Sequence, residues 1–319
     1  MIRFFEQQQI IFSIVSAIIL FLYGLSAFSN ELKQKAGNKL ESTIRKLTAN
    51  RFMSFLVGLF STATIQSSTA VSILAVSLVD SGMLSFPGAV AVMLGSHIGT
   101  TLTAWMVSFK LTGIGPVFIV LGSLLAVLPW RAKIFGKALF YFGFIFFSLD
   151  LVSSSLQPLR QSQYLADFLL YTNTPLKGIL AGTLLTALMQ SSTVVTGLAI
   201  IFVQQDLISP EASIPIVLGA NIGTTVTGLY ATYAMNWEAK KAAWSNTIIN
   251  TLGVILLYPF IDVFTSAVMA LAPNDLLVVA IAHLGFNICL VSIFLTLLRP
   301  FTEVMDKIFK QAQKSDLKL

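Results

Sequence analysis

Long stretches of this sequence carry no Asp, Glu, Lys or Arg, among them residues 10–28, 111–130, 138–149, 242–260 and 276–298. A helix needs about 20 apolar residues to cross the hydrocarbon core of a bilayer. Several of these runs suffice, and the shorter ones suit half-helices or hairpins. Composition agrees, with 55% hydrophobic and 11% charged residues among 319, against about 25% charged in an average soluble domain. So few charges cannot cover a surface in water. The first run lacks a strongly basic lead and a small-residue exit, and further runs follow it, so it reads as a retained span and not a cleaved leader. The predicted fold class is an all-α polytopic membrane protein.

The formal net charge is +6. In a soluble chain this would raise nucleic acid as a partner. Here the basic residues gather in short loops, the pattern of membrane orientation, and the expected partner is the lipid bilayer, not nucleic acid. The one cysteine, Cys289, lies in an apolar run, which leaves no disulfide framework and no cysteine metal cluster.

Internal repetition comes next. Gln66, Ser67, Ser68 and Thr69 recur as Gln190, Ser191, Ser192 and Thr193, an offset of 190 − 66 = 124. Gly95-Ser96-His97-Ile98-Gly99-Thr100-Thr101 recurs as Gly219-Ala220-Asn221-Ile222-Gly223-Thr224-Thr225 at the same offset. Gly58 with Gly182, Thr62 with Thr186 and Thr103 with Thr227 keep it too. Two motifs that hold one spacing without a gap mark a duplicated unit. Upstream, residues 20–24 resemble residues 139–143, and residues 243–250 are echoed by 280–287. The chain divides into repeat 1 with its N-terminal helix (1–130), repeat 2 with closing helices (131–298) and a short charged tail (299–319), all within one membrane domain. Lys33, Lys35, Lys39, Arg45, Lys46 and Arg51 follow the first helix. Its counterpart is preceded by Arg131, Lys133 and Lys137 and followed only by Arg160 and Lys177. If basic loops face the cytoplasm, the two units have inverted topology.

The tetrads carry the chemistry. Apolar residues flank Gln66-Ser67-Ser68-Thr69 on both sides, and a straight lipid-facing helix would leave the glutamine in hydrocarbon. Non-helical backbone at that depth needs protein or a water-filled cavity around it. A break or hairpin with its tip in mid-membrane solves this and offers free N–H groups at a helix start together with hydroxyl donors. Helix starts bind anions, and discontinuous helices in paired repeats mark transporter sites. In the Gly-Thr-Thr motifs, Gly99 and Gly223 permit backbone that other residues resist, so unwound carbonyls with Thr oxygens would suit a hard cation. A single Ser-Ser-Thr cluster is as easily packing glue between helices; two tetrads and two Gly-Thr-Thr motifs at one offset are not. The picture is an anion on N–H groups and hydroxyls, with cations on oxygens nearby.

No carboxylate falls at the centre of a clear span; Asp80, Asp150 and Asp206 sit at segment ends. A proton relay would use buried acids or histidines, so their lack favours sodium over protons as the coupling ion. His97, where repeat 2 has Asn221, reads as a structural donor, and Asn246, Asn250, His283 and Asn287 read as hydrogen bonders between helices.

These residues resemble the type II sodium–phosphate cotransporter family, whose hallmark is a duplicated Gln-Ser-Ser-(Ser/Thr) motif, each copy followed by a Gly-(Ser/Ala)-Asn-Ile-Gly-Thr-Thr-like motif. The resemblance covers residues 10–298. It implies two inverted repeats, each with a re-entrant helical hairpin and a broken transmembrane helix, and phosphate held between the two tips. Carried over, it points to Gln66, Ser67, Ser68, Gln190, Ser191 and Ser192 around phosphate. Thr69, Thr100, Thr101, Thr193, Asn221, Thr224 and Thr225 become the residues for sodium or for shaping the site, supported by Gly99, Gly223, His97, Asn250 and Asn287. His97 departs from the motif's Asn, and Asn246 and Ile249 depart from an Ala-x-x-His-x-x-Phe-Asn pattern that is intact at 280–287. Many bacterial members add a soluble regulatory domain where this sequence ends.

The expectation is sodium-coupled transport of inorganic phosphate by alternating access in the cell's inner membrane, with Na+ as coupling ion and no other cofactor. A homodimer and a separate regulatory protein are admitted as partners. Carriage of another oxyanion and phosphate export stand as alternatives. An intramembrane serine hydrolase is remote, because a nucleophile needs a base within reach and the chain has two histidines.

Overall fold

The computed structural model describes residues 2–47, 50–108, 113–128, 133–157 and 174–316. Arg131 and Arg160, used above for orientation, and the boundary at 130/131 lie outside them. The described residues are helical, with no β-strand among them. In chain order the helices are α1 (Ile2–Leu47), α2 (Arg51–Ile65), α3 (Ser68–Asp80), α4 (Phe86–Ser108), α5 (Ile114–Val127), α6 (Lys133–Leu156) and α7 (Pro175–Met189). They continue with α8 (Ser192–Gln204), α9 (Pro210–Ala231), α10 (Trp237–Leu257), α11 (Ile261–Leu271), α12 (Asp275–Thr296) and α13 (Leu298–Asp316).

Six helical stretches among the described residues are long and apolar enough to cross a membrane: Gln9–Gln34, Phe86–Ser108, Phe135–Leu156, Pro210–Ala231, Trp237–Leu271 and Asp275–Thr296. The stretch Trp237–Leu271 is interrupted by a 3-10 turn, Tyr258–Phe260, where Pro259 withholds a backbone donor. Ile11, Phe12, Val15 and Ile19 on α1, and Ile255, Leu256, Phe260 and Val263 around that turn, are exposed. Apolar faces of that size fit lipid. By contrast α4 and α9, the helices of the Gly-Thr-Thr motifs, are the most buried of the spans.

The sequence offset is written into the packing. A Cβ on Gly58 would lie 1.9 Å from the carbonyl oxygen of Val92, and one on Gly95 1.9 Å from that of Phe55. In the second unit Gly182 stands 1.9 Å from the Ile216 oxygen and Gly219 1.9 Å from the Ile179 oxygen. The same four positions, 124 residues on, therefore make the same crossing. α2 lies on α4, and α7 on α9, backbone against backbone. Gly115 and Gly122 of α5 also bring it close to α6, where an added Cβ would lie 2.5 Å from the Phe147 nitrogen and 2.3 Å from that of Phe140.

One expectation is corrected here. Gly99 and Gly223 do not unwind their helices: α4 and α9 run unbroken through both motifs. The glycines are there because the facing helix is close. A Cβ on Gly99 would meet the Leu59 oxygen at 2.5 Å, and one on Gly223 the Thr183 oxygen at 2.4 Å. The helix interruptions expected at the tetrads are present, between α2 and α3 and between α7 and α8; the second interruption expected at the Gly-Thr-Thr motifs is not.

Residues 298–316, read from sequence as a charged tail, form a helix that packs on α10 and α4. Leu298, Thr302 and Met305 supply its buried stripe. Lys241, 4% exposed, pairs with Asp306 of α13 and with Glu238 at 2.7 Å, and its Nζ lies 4.3 Å from the centre of the Phe86 ring. Across the molecule, Asp80 at the end of α3 accepts the Asn236 N–H at 2.7 Å, tying α3 to the start of α10.

Candidate functional site

Each tetrad is a helix end followed at once by a helix start. Gln66 caps α2 in the left-handed region (φ 59°, ψ 30°) and Gln190 caps α7 the same way (φ 55°, ψ 24°). Side chains resist that conformation, so the two matching turns are structural features in their own right. Ser67 and Ser191 then return to extended backbone (φ −147° and −151°) as the residues before α3 and α8. A helix start leaves its first N–H groups without intrahelical acceptors. In repeat 1 the Ser67 hydroxyl accepts from the Ala70 N–H at 3.2 Å. In repeat 2 Ser191 makes no such bond.

Both starts open on one cavity of about 570 Å³. Gln66, Ser67, Ser68 and Thr69 line it from one unit, and Gln190, Ser191, Ser192, Thr193 and Thr227 from the other. α3 adds Ile73, Leu74 and Ser77; α1 adds Leu22, Leu25, Ser26, Ser29, Asn30 and Lys33. Among the described residues no His, Cys, Asp or Glu lines it. Two helix dipoles aimed at one polar space, with serine and threonine hydroxyls around it, suit an anion. A second polar cavity, of about 300 Å³, lies between α1 and α6 and shares Ser26 and Asn30 with the first.

The Gly-Thr-Thr residues divide. Thr100 reaches the tetrad through the Ser68 hydroxyl at 3.3 Å. Thr101 and Thr225 donate to the backbone oxygens of Ile98 (2.8 Å) and Ile222 (2.7 Å), and Thr224 to that of Ala220 (2.9 Å). Asn221 donates to the Val217 oxygen at 3.0 Å. None of these last four lines the cavity. Thr103, by contrast, donates to the Gln66 side-chain oxygen, while its counterpart Thr227 lines the cavity with its buried hydroxyl unpartnered. The shared offset of Thr103 and Thr227 was the available signal. Ser26, Ser29, Asn30 and Lys33 went unmarked by the sequence motifs, although polar residues spaced i, i+3, i+4, i+7 on an apolar span are a legible stripe.

The supporting residues form a separate buried polar cluster where α4, α10 and α12 meet. His97 Nε2 lies 3.1 Å from Asn246 Oδ1 and 3.2 Å from Asn250 Nδ2, and one tautomer serves only one of them. Asn287 donates to the His283 backbone oxygen at 2.8 Å. Asn250 Oδ1, Asn287 Oδ1 and both ring nitrogens of His283 are buried without a protein partner. His97 thus belongs to this cluster and lines no part of the tetrad cavity.

Helices without a strand, six membrane-length spans among the described residues and a polar cavity between duplicated helix starts define a polytopic membrane protein. The chain belongs to the Na+/Pi-cotransporter family, whose profile matches residues 20–154 and again 148–286. "Uncharacterized protein YqeW" of Bacillus subtilis is 30% identical over 92% of this chain and 96% of its own length. "Putative inorganic phosphate export protein YjbB" of Escherichia coli is 23% identical over 96% of this chain, which spans 57% of that relative. "Sodium-dependent phosphate transport protein 2B" of Homo sapiens is 32% identical over 39% of this chain and 20% of its own length. No solved structure matches.

Proposed function

We propose that this protein carries inorganic phosphate across the membrane in exchange for the free energy of a sodium gradient, by alternating access. The observation that carries the reading is the meeting of both tetrads on one cavity, each at the positive end of a helix. Phosphate sits between Ser67, Ser68, Ser191 and Ser192, with Gln66 and Gln190 beside it. Sodium takes hydroxyl and amide oxygens: Thr69 and Thr193 at the tips, Thr227, and the unpartnered Asn250 Oδ1 and Asn287 Oδ1. Sodium on the tip threonines, which line the same cavity as the serines, lowers the cost of holding a multivalent charge among helices; sodium at the Asn250 and Asn287 oxygens belongs to the separate cluster.

α2 and α3 have 15 and 13 residues, about 22 and 20 Å at 1.5 Å per residue, too short to span singly. We read α2–α3 and α7–α8 as re-entrant pairs of inverted repeats, with the tetrads at their tips. The names of the human and E. coli relatives support phosphate as cargo, and the latter supports outward carriage as the alternative direction. The test is radiolabelled phosphate uptake into proteoliposomes under an inward sodium gradient, with an equal potassium gradient as reference. Sodium-dependent accumulation abolished by excess unlabelled phosphate is the expected result. Competition by sulfate as strong as that by phosphate would reassign the cargo to another oxyanion, and accumulation equal in potassium would remove sodium.

A further inference from the structure

Among the described residues, Lys33 is the one charged side chain that lines the tetrad cavity. It stands on α1 with Ser26, Ser29 and Asn30 at positions i, i+3, i+4 and i+7, one face of a helix. Lys33 lies about 10 Å along α1 from Ser26 at 1.5 Å per residue, and the apolar stretch of α1 ends next to it at Gln34. Its side chain is exposed, whereas the tetrad serines are half-buried or buried. Asn30 and Ser26 are exposed as well and Ser29 is half-buried, so the stripe runs from a positive charge at the end of the apolar stretch, through an amide and two hydroxyls, along the cavity that the helix starts also line. Ser77 faces it from α3. A cleft with charge of one sign and low-dielectric walls concentrates field lines and raises the rate at which counter-charged ligands enter.

We propose that Lys33 is the capture residue of the cavity: it draws phosphate to the mouth and, with Asn30 and Ser29, holds it before transfer to the tetrads. This rests on the reading of the cavity as a phosphate site. It makes Lys33 a determinant of entry and of the preference for multivalent anions, with no part in coordinating the anion at the tips.

The experiment is phosphate uptake by proteoliposomes of wild type, Lys33→Gln and Lys33→Arg at fixed sodium, with choline chloride setting the ionic strength at about 20 or about 200 mM, either side of the range where the Debye length falls below the length of the stripe. At low ionic strength Lys33→Gln raises KM about 3- to 10-fold, and the loss falls on KM and not on the maximal rate. Lys33→Arg keeps the wild-type KM. Salt raises the wild-type KM towards that of Lys33→Gln and hardly moves the variant. A wild-type KM indifferent to salt overturns the proposal without any variant. Equal defects in Lys33→Gln and Lys33→Arg also overturn it, since they indicate a shape requirement and not charge. A wild type that carries no phosphate fails the parent reading, visibly and before any variant is compared.

Discussion

Replacing Gly95 by alanine tests the backbone crossing that positions the tetrads. The added methyl would lie 1.9 Å from the Phe55 carbonyl oxygen, and real contacts of this kind stay beyond 3.0 Å. α2 and α4 must therefore part by roughly 1 Å, because a carbonyl in a helix cannot swing aside and the interior has no slack. Overpacking of that severity costs about 3 kcal/mol, equivalent to a fall of roughly 5–10 °C in apparent Tm. Gly219→Ala, 1.9 Å from the Ile179 oxygen, should cost the same, since the crossing is duplicated. Gly228 is the internal control: it lies in α9 with nothing within 4 Å of an added Cβ, so alanine there should be neutral or stabilise by about 0.5–1 kcal/mol through helix propensity. The assay is thermal unfolding of detergent-purified protein followed by size-exclusion chromatography. If Gly95→Ala and Gly219→Ala melt with wild type, or if Gly228→Ala falls with them, the close crossing is not what the glycines serve.

Four substitutions test the site and its supports. Ser67→Ala should lower stability by about 1 kcal/mol as well as phosphate affinity, because its hydroxyl caps α3. Ser191→Ala should lower affinity alone, because Ser191 makes no cap bond; paired melting and uptake curves separate the two. Asn287→Ala should weaken sodium activation of uptake more than it weakens phosphate affinity, read from the sodium concentration for half-maximal rate. Asp306→Asn should loosen α13 by about 1 kcal/mol, a figure held low because Asp306 is 42% exposed; limited proteolysis after residue 297 should quicken while transport persists.

The duplication was legible because two motifs repeat almost letter for letter, and the coordinates return the same offset in Gly58, Gly95, Gly182 and Gly219. The breaks at the tetrads were legible too, since a glutamine amid apolar residues has to be accommodated. Their form was not: a left-handed Gln66 or Gln190 runs against local preference. Gly99 and Gly223 show the limit most clearly. A glycine in a sequence announces a missing side chain, not whether its own backbone or a neighbour's needs the room. Lys33 was read only as an orienting loop charge, because it lies outside the tetrads and the Gly-Thr-Thr motifs and only the packing shows which helix faces the cavity. The helix at 298–316 escaped because its buried stripe is thin among many charges.

Ser26 and Asn30 belong to both polar cavities, so one helix, α1, presents the same two side chains to two polar spaces. The chain has a single native cysteine, Cys289, on the exposed side of α12, which is readily replaced by serine. A thiol introduced at residue 26 or 30 in that background would be a reporter read from two chambers at once, and its labelling by reagents added on one side of the membrane would record which chamber is open at the time.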